Sequence, residues 1–152
     1  MMTHSIVVAA DHAGLSLKDE VVSALRERGH DIVDLGTHDA QSVDYPDYAH
    51  QASHLVHEGK HRFAVLMCGS GVGMSIAANK HPGIRAVVCS EPYSAAMARR
   101  HNDANVLCMG ARVVGPGLAL EILDAFLAQE FEGGRHSRRV GKLESSCSTQ
   151  KS

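Results

Sequence analysis

Cys68 ends the apolar run Phe63-Ala64-Val65-Leu66-Met67 and is followed at once by Gly69-Ser70-Gly71-Val72-Gly73 and the small-residue stretch Met74-Ser75-Ile76-Ala77-Ala78. An apolar run that stops at a glycine-rich loop before a helix is the pattern of a buried strand delivering its last side chain to a loop. The helix start adds partial positive charge there, and backbone N–H groups of such a loop can point at an anion. A helix N-terminus also favours the thiolate of a nearby cysteine. A thiol beside an anion-binding loop is suited to proton transfer or nucleophilic attack.

Standard labels for the loop fit poorly. No Gly-Lys-Ser/Thr follows, as a P-loop needs. Met74 stands where a dinucleotide fingerprint has its third glycine, and the loop follows the third strand rather than the first. Gly73-Met74-Ser75-Ile76-Ala77 is faintly like a nucleophile elbow, but Ser75 falls inside the helix. An oxyanion-binding loop remains, with the N–H groups of Gly71 to Met74 as the expected donors.

Other residues point to the same ligand class. Asp11-His12-Ala13-Gly14 follows the first apolar run. Arg135 and Arg139 are spaced so that on one helix they face one ligand, as a phosphate clamp requires. His50, His54, His57 and His61 also share a helical face, opposite an expected core face of Tyr48, Ala52, Leu55 and Gly59. That histidine face reads as solvated, and neither a metal ion nor an organic cofactor is expected. Cys89, Cys108 and Cys147 lack comparable surroundings and read as structural or incidental.

Alternating elements must position these groups. Strands are expected at Ser5–Ala10, Asp31–Leu35, Phe63–Cys68, Arg85–Cys89 and Asn105–Met109. Helices are expected from Leu15 to Leu25, over Pro46–Glu58, Val72–Lys80 and Pro92–Arg100, and from Leu118 to Gln129. This predicts a three-layer, Rossmann-like α/β sandwich around a five-stranded parallel sheet. The expected strand order is 2-1-3-4-5, with a switch point between the first and third strands where Asp11 and Cys68 meet. The 152 residues read as a single domain, with residues 144–152 a frayed tail.

Composition narrows the class. A formal net charge of −2 gives no global drive toward nucleic acid or membrane. No run approaches the ~20 apolar residues that span a bilayer. The start Met1-Met2-Thr3-His4-Ser5 has no signal-peptide pattern, and the four cysteines lack framework spacing, so reduced thiols in a cytoplasm are expected.

Taken together the chain resembles the type B ribose-5-phosphate isomerases, which group with the galactose-6-phosphate isomerase subunits. The resemblance covers about residues 5–143 and rests on ordered matches. These are Asp11-His12-Ala13-Gly14, Asp44-Tyr45-Pro46, Cys68 to Gly73, Ser75 to Lys80, Gly83-Ile84-Arg85-Ala86, His101 to Val106, Gly110-Ala111-Arg112 and Gly133-Gly134-Arg135-His136. It implies that Cys68 is the base moving a proton between sugar carbons 1 and 2, and that His101 is the acid opening the furanose ring. It also implies that Asp11, His12, Tyr45, Asn102, Arg112, Arg135 and Arg139 line a sugar-phosphate site. Gly69, Ser70, Gly71, Val72 and Gly73 would complete it; independently of the resemblance, Ser70 and Asp11 are expected to relay the hydroxyl proton. Some family members replace the cysteine by a glutamate near position 74, where this chain has Met74. Ser70 stands where many relatives carry threonine.

The implied activity interconverts ribose 5-phosphate and ribulose 5-phosphate. Isomerisation of a six-carbon sugar phosphate is the competing enzyme reading, and a phosphate-ligand-binding regulatory module is the reading from another class. His101 and Asn102 precede the fifth strand, at the end of the sheet opposite Cys68. A site uniting them with Cys68 therefore calls for a homodimer or a dimer of dimers.

Overall fold

The computed structural model describes residues 2–145. Its elements in chain order are β1 (Ser5–Ala10), α1 (Leu15–Glu27), β2 (Asp31–Asp34), α2 (Tyr45–His57), β3 (Phe63–Cys68), α3 (Val72–Ala78), β4 (Ala86–Val88), α4 (Pro92–Asn102), β5 (Val106–Gly110), α5 (Pro116–Leu127) and α6 (Arg135–Ser145). Pro46, Pro92 and Pro116 fall in the first turns of α2, α4 and α5, where a missing N–H costs no helical bond. Glu91 caps α4 by accepting the Ser94 N–H at 3.0 and 3.1 Å. Among the described residues no helix is long and apolar enough to cross a membrane.

The five strands form one parallel sheet in the order β2-β1-β3-β5-β4. This corrects the expected 2-1-3-4-5 by exchanging the last two strands. The reason lies in their sequences. Val106–Gly110 is wholly buried and pairs on both sides. Ala86–Val88 has three residues, with Val88 exposed, and suits an edge, where short strands limit unwanted pairing.

Alternation in the strands sorts the core into two layers. Ile6, Val8 and Ala10 of β1 face α1, α4 and α5, together with Phe63, Val65 and Met67 of β3. Val7 and Ala9 face α2 and α3 with Ala64, Leu66 and Cys68. Cys68 thus belongs to the α3 side of the sheet, and α3 begins four residues after it. In α2 the buried residues are Ala49, Ala52, Ser53 and Val56, which rotates the core face from the expected Tyr48, Ala52, Leu55 and Gly59. His61 lies beyond the end of that helix, and His50 is half-buried with its Nδ1 2.6 Å from Nε2 of His81.

Two cationic side chains are buried, Lys18 and Arg99. Lys18 of α1 is fully buried, and its Nζ donates to Asp34 Oδ2 at the end of β2 at 2.7 Å. At the C-terminus, Gly133 and Gly134 take positive φ values of 68° and 56° and turn the chain into α6. Glu144 and Ser145, expected in a frayed tail, belong to this helix, and Glu144 pairs with Arg85 at 2.7 Å. Cys147 and the rest of the expected tail lie outside the described residues.

Candidate active site

The ends of β1, β3 and β5 lie level. Ala10 pairs with Met67, and Cys68 pairs with Gly110. Asp11 donates its N–H to Met67 O at 3.2 Å, which brings the chain leaving β1 beside Cys68. Gly14 makes this approach possible, because a Cβ there would sit 2.5 Å from Met67 O. Asp11 is buried, and its Oδ1 accepts the Gly14 N–H at 3.0 Å.

Cys68 is only 4 % exposed, and its Sγ accepts the Gly71 N–H at 3.2 Å. Gly71 adopts φ 79°, and a Cβ there would press to 2.7 Å against the Met109 carbonyl carbon. Both constraints require glycine. Ser70 Oγ accepts the Val72 N–H at 3.2 Å. The loop therefore uses the Gly71 and Val72 N–H groups internally, which narrows the expected donor set. The N–H groups of Gly73 and Met74 lie in the first turn of α3, where the helix supplies no acceptor.

Above this floor lies a pocket of about 590 Å³ lined by Asp11, Tyr45, Cys68, Gly69, Ser70, Val72, Gly73, Ile76, Arg112 and Val113. The Tyr45 ring packs against Gly73, where a Cβ would meet it at 2.6 Å, and Arg112 Nη1 would lie 3.2 Å from a Cβ on Gly69. A phenol and a guanidinium thus line the same pocket as the sulfur. His12 stands beside the pocket rather than in its wall, and its Nδ1 accepts the Val43 N–H at 3.1 Å, tying the loop before α2 to the end of β1. Ile76 and Val113 are lining residues that the motifs did not single out, and they are 57 % and 59 % exposed. Val72 and Ile76, one helical turn apart, form an apolar stripe on the open side of α3, a signal readable in the sequence.

The other cysteines differ from Cys68. Burial, with the nearby Glu91 charge, pushes the Cys89 thiol up to about 11. Burial likewise pushes Cys108 well above its ordinary value, with Cys68 and Cys89 adding to the shift. Both are held as inert thiols.

His101, Asn102, Arg135 and Arg139 do not join this pocket within one chain. His101 and Asn102 form the last turn of α4, two residues further than expected, and β5 starts only at Val106, level with Ala64 at the beginning of β3. A five-residue strand is roughly 17 Å long, beyond the reach of a side chain. At that opposite end the His101 ring stacks on His136 with centroids 4.3 Å apart. Glu132 Oε2 lies 3.8 Å from His101 Nε2 and 3.7 Å from His136 Nε2. Arg135 and Arg139 are exposed on α6, four residues apart. A larger cavity, about 720 Å³ and lined among others by His4, His30, Arg62 and Phe63, contains none of the expected site residues. The two halves expected to form one site therefore occupy opposite ends of the sheet.

Known proteins share this arrangement of sequence and fold. Residues 6–143 match the model of a family described as Ribose/Galactose Isomerase. The chain is 54 % identical over 135 residues to ribose-5-phosphate isomerase B of Escherichia coli, covering 89 % of this chain and 91 % of the relative. It is 43 % identical over 140 residues to D-erythrulose-4-phosphate isomerase of Pectobacterium atrosepticum, covering 91 % and 92 %. A solved structure of ribose-5-phosphate isomerase B from Clostridium thermocellum superposes with a TM-score of 0.95 at 48 % identity, covering 97 % of this chain and 99 % of that one.

Proposed function

The chain belongs to the ribose/galactose isomerase family, and from that premise we propose that it interconverts ribose 5-phosphate and ribulose 5-phosphate by proton transfer between carbons 1 and 2. The observation that carries the reading is Cys68: a sulfur on the pocket floor that accepts a backbone N–H while the other described cysteines are buried as thiols.

In this mechanism the Cys68 thiolate takes the proton from carbon 2 of the open-chain aldose, and the electron pair moves onto the carbonyl to give an enediolate. The thiol then returns its proton to carbon 1, while a hydroxyl proton passes from oxygen 2 to oxygen 1 through Ser70 and Asp11. Negative charge on the enediolate oxygen falls to the Gly73 and Met74 N–H groups. Removing one such donor typically raises a barrier by ~3 kcal/mol. Arg112 and Tyr45 orient the sugar hydroxyls. No step calls for a metal ion or an organic cofactor.

His101, Asn102, Arg135 and Arg139 enter from a second copy of the chain. His101 opens the furanose ring as general acid, and the two arginines hold the phosphate, whose binding energy positions the reacting carbons. A two-fold axis makes two equivalent mixed sites. The apolar stripe of Val72, Ile76 and Val113 beside the pocket suits burial against that partner. Free cysteines throughout the described residues fit a reducing compartment, and we assign the protein to the cytoplasm.

The relative acting on D-erythrulose 4-phosphate favours a second reading, in which chain length of the sugar is the variable and a shorter ketose phosphate is the preferred substrate. Kinetics on four-, five- and six-carbon aldose and ketose phosphates decide between these. The chemistry itself is tested by Cys68→Ala, which should lower kcat by about 10²–10⁴-fold with substrate binding retained. A variant keeping a tenth of the wild-type rate would remove Cys68 from the role of base.

A further inference from the structure

His101, Glu132 and His136 bring two imidazoles and a carboxylate to one point, with their ligand atoms all within 4.8 Å of one another. The His–Glu separations of 3.7 and 3.8 Å are too long for hydrogen bonds. They are close to the spacing of neighbouring ligands around a tetrahedral ion, about 3.3–3.5 Å for metal–ligand bonds of ~2.0–2.2 Å. The two His–Glu pairs would close with a contraction of a few tenths of an ångström, whereas the two imidazoles, held only within the 4.8 Å limit, must turn out of their stacked arrangement and approach by up to about 1 Å to share one ion.

The carboxylate is already held for this purpose. Arg100 binds Glu132 Oε1 through Nε at 2.7 Å and Nη2 at 2.6 Å, and the Glu132 N–H donates to Arg100 O at 3.0 Å. That anchor leaves Oε2 directed at both imidazoles. Gly133 and Gly134 then turn the chain so that His136, the buried residue of α6, lies over His101.

We propose that His101, Glu132 and His136 form a three-ligand site for a divalent transition-metal ion of the Zn²⁺ class, and that its occupation inhibits the isomerase. Two nitrogens and one oxygen suit Zn²⁺ and its neighbours rather than Mg²⁺ or Ca²⁺, which prefer oxygen. Three protein ligands leave a coordination position for water or a substrate oxygen. Arg135 and Arg139 nearby oppose a dication, so the ion exchanges rather than serving as a permanent structural centre. Inhibition rests on the functional reading above, because a metal on His101 Nε2 removes the acid that opens the sugar ring. Binding itself does not depend on that reading.

The test uses metal-stripped full-length protein and titrates Zn²⁺ against a chromophoric chelator, with isomerisation followed in parallel. One ion per chain is expected at this site. Glu132→Gln and His136→Gln should each weaken it about tenfold or more. Cys68→Ala should retain it, as should His81→Ala, which removes the separate histidine pair at His50. Mg²⁺ should not compete. Zn²⁺ should slow the wild type, a chelator should restore the full rate, and inhibition of Glu132→Gln should need about tenfold more Zn²⁺, relative to that variant's own rate. Zn²⁺ affinity unchanged in both Glu132→Gln and His136→Gln, or lost in Cys68→Ala or His81→Ala, overturns the site. Occupation without slowing overturns the inhibition. Absence of isomerisation in metal-free wild type would count against the functional reading alone, since the titration reads the metal directly.

Discussion

Cys68 is set apart by its place on a pocket and by one N–H: Gly71 donates to its sulfur, whereas burial, aided at Cys89 by the Glu91 charge, disfavours a thiolate at Cys89 and Cys108. Alkylation by iodoacetamide near pH 8 should therefore modify Cys68 before either of the others, and a sugar phosphate should slow it. Peptide mapping that finds Cys89 or Cys108 labelled first would contradict the assignment. At this scale much was legible in the sequence. A strand-ending cysteine followed by alternating glycines has few structural uses, and Asp11, Tyr45, Ser70 and Arg112 gather round it. What was not legible depends on how polar groups pair in three dimensions. The loop consumes the Gly71 and Val72 N–H groups itself, so fewer donors face the ligand than their order implies. Val113 escaped notice because a single exposed apolar residue carries no motif, and Ile76 because its one-turn spacing from Val72 gains meaning only beside the pocket.

Among the elements, the join between α1 and β2 is the most exacting. Lys18 has no exposure to water, and Asp34 neutralises it at 2.7 Å, with the exposed Asp19 at 3.1 Å as a weaker partner. Removing one member of a buried pair leaves the other charge uncompensated. Asp34→Ala should destabilise the fold by roughly 3 kcal/mol, read as a lower Tm and a lower denaturation midpoint. Desolvation pushes the Asp34 carboxyl up, but the Lys18 hydrogen bond, the Gly36 N–H and the Lys18 charge together hold it below the usual carboxylate range. A depressed carboxylate contributes stability above its unfolded value and loses it as pH falls through the folded one. The difference in Tm between wild type and Asp34→Ala should accordingly shrink on acidification below the ordinary carboxylate range. A constant difference across that window would deny the pair its role. Element types were readable from periodicity, whereas strand order was not, because side chains along a strand report which layers cover it more clearly than which strand lies beside it. The wholly apolar run Val106–Gly110 was the available clue, whereas the shortness of Ala86–Val88, expected as Arg85–Cys89, is visible only in the structure. Likewise α4 runs on to Asn102 because no breaker stands before Asp103, which ends it in a left-handed conformation at φ 47°.

For the whole molecule, the parallel register decides how a site is assembled. Cys68 finishes β3 level with Gly110, while His101 precedes Val106 at the other end of β5. Mixing inactive Cys68→Ala with inactive His101→Ala under conditions of subunit exchange should restore activity, because a mixed dimer contains one intact site and one doubly defective site. Demonstrated exchange without recovery would refute the shared site. The same register has a consequence for enzyme assays. With the proposed base and acid at opposite poles of one chain, an isolated chain should show no turnover, and catalysis should be a property of association. On progressive dilution the rate per chain should fall once dimers dissociate, and below that point total rate should scale with the square of protein concentration. Saturating sugar phosphate, bound by two chains at once, should act as a bridge between them and move the onset of this decline to lower concentration.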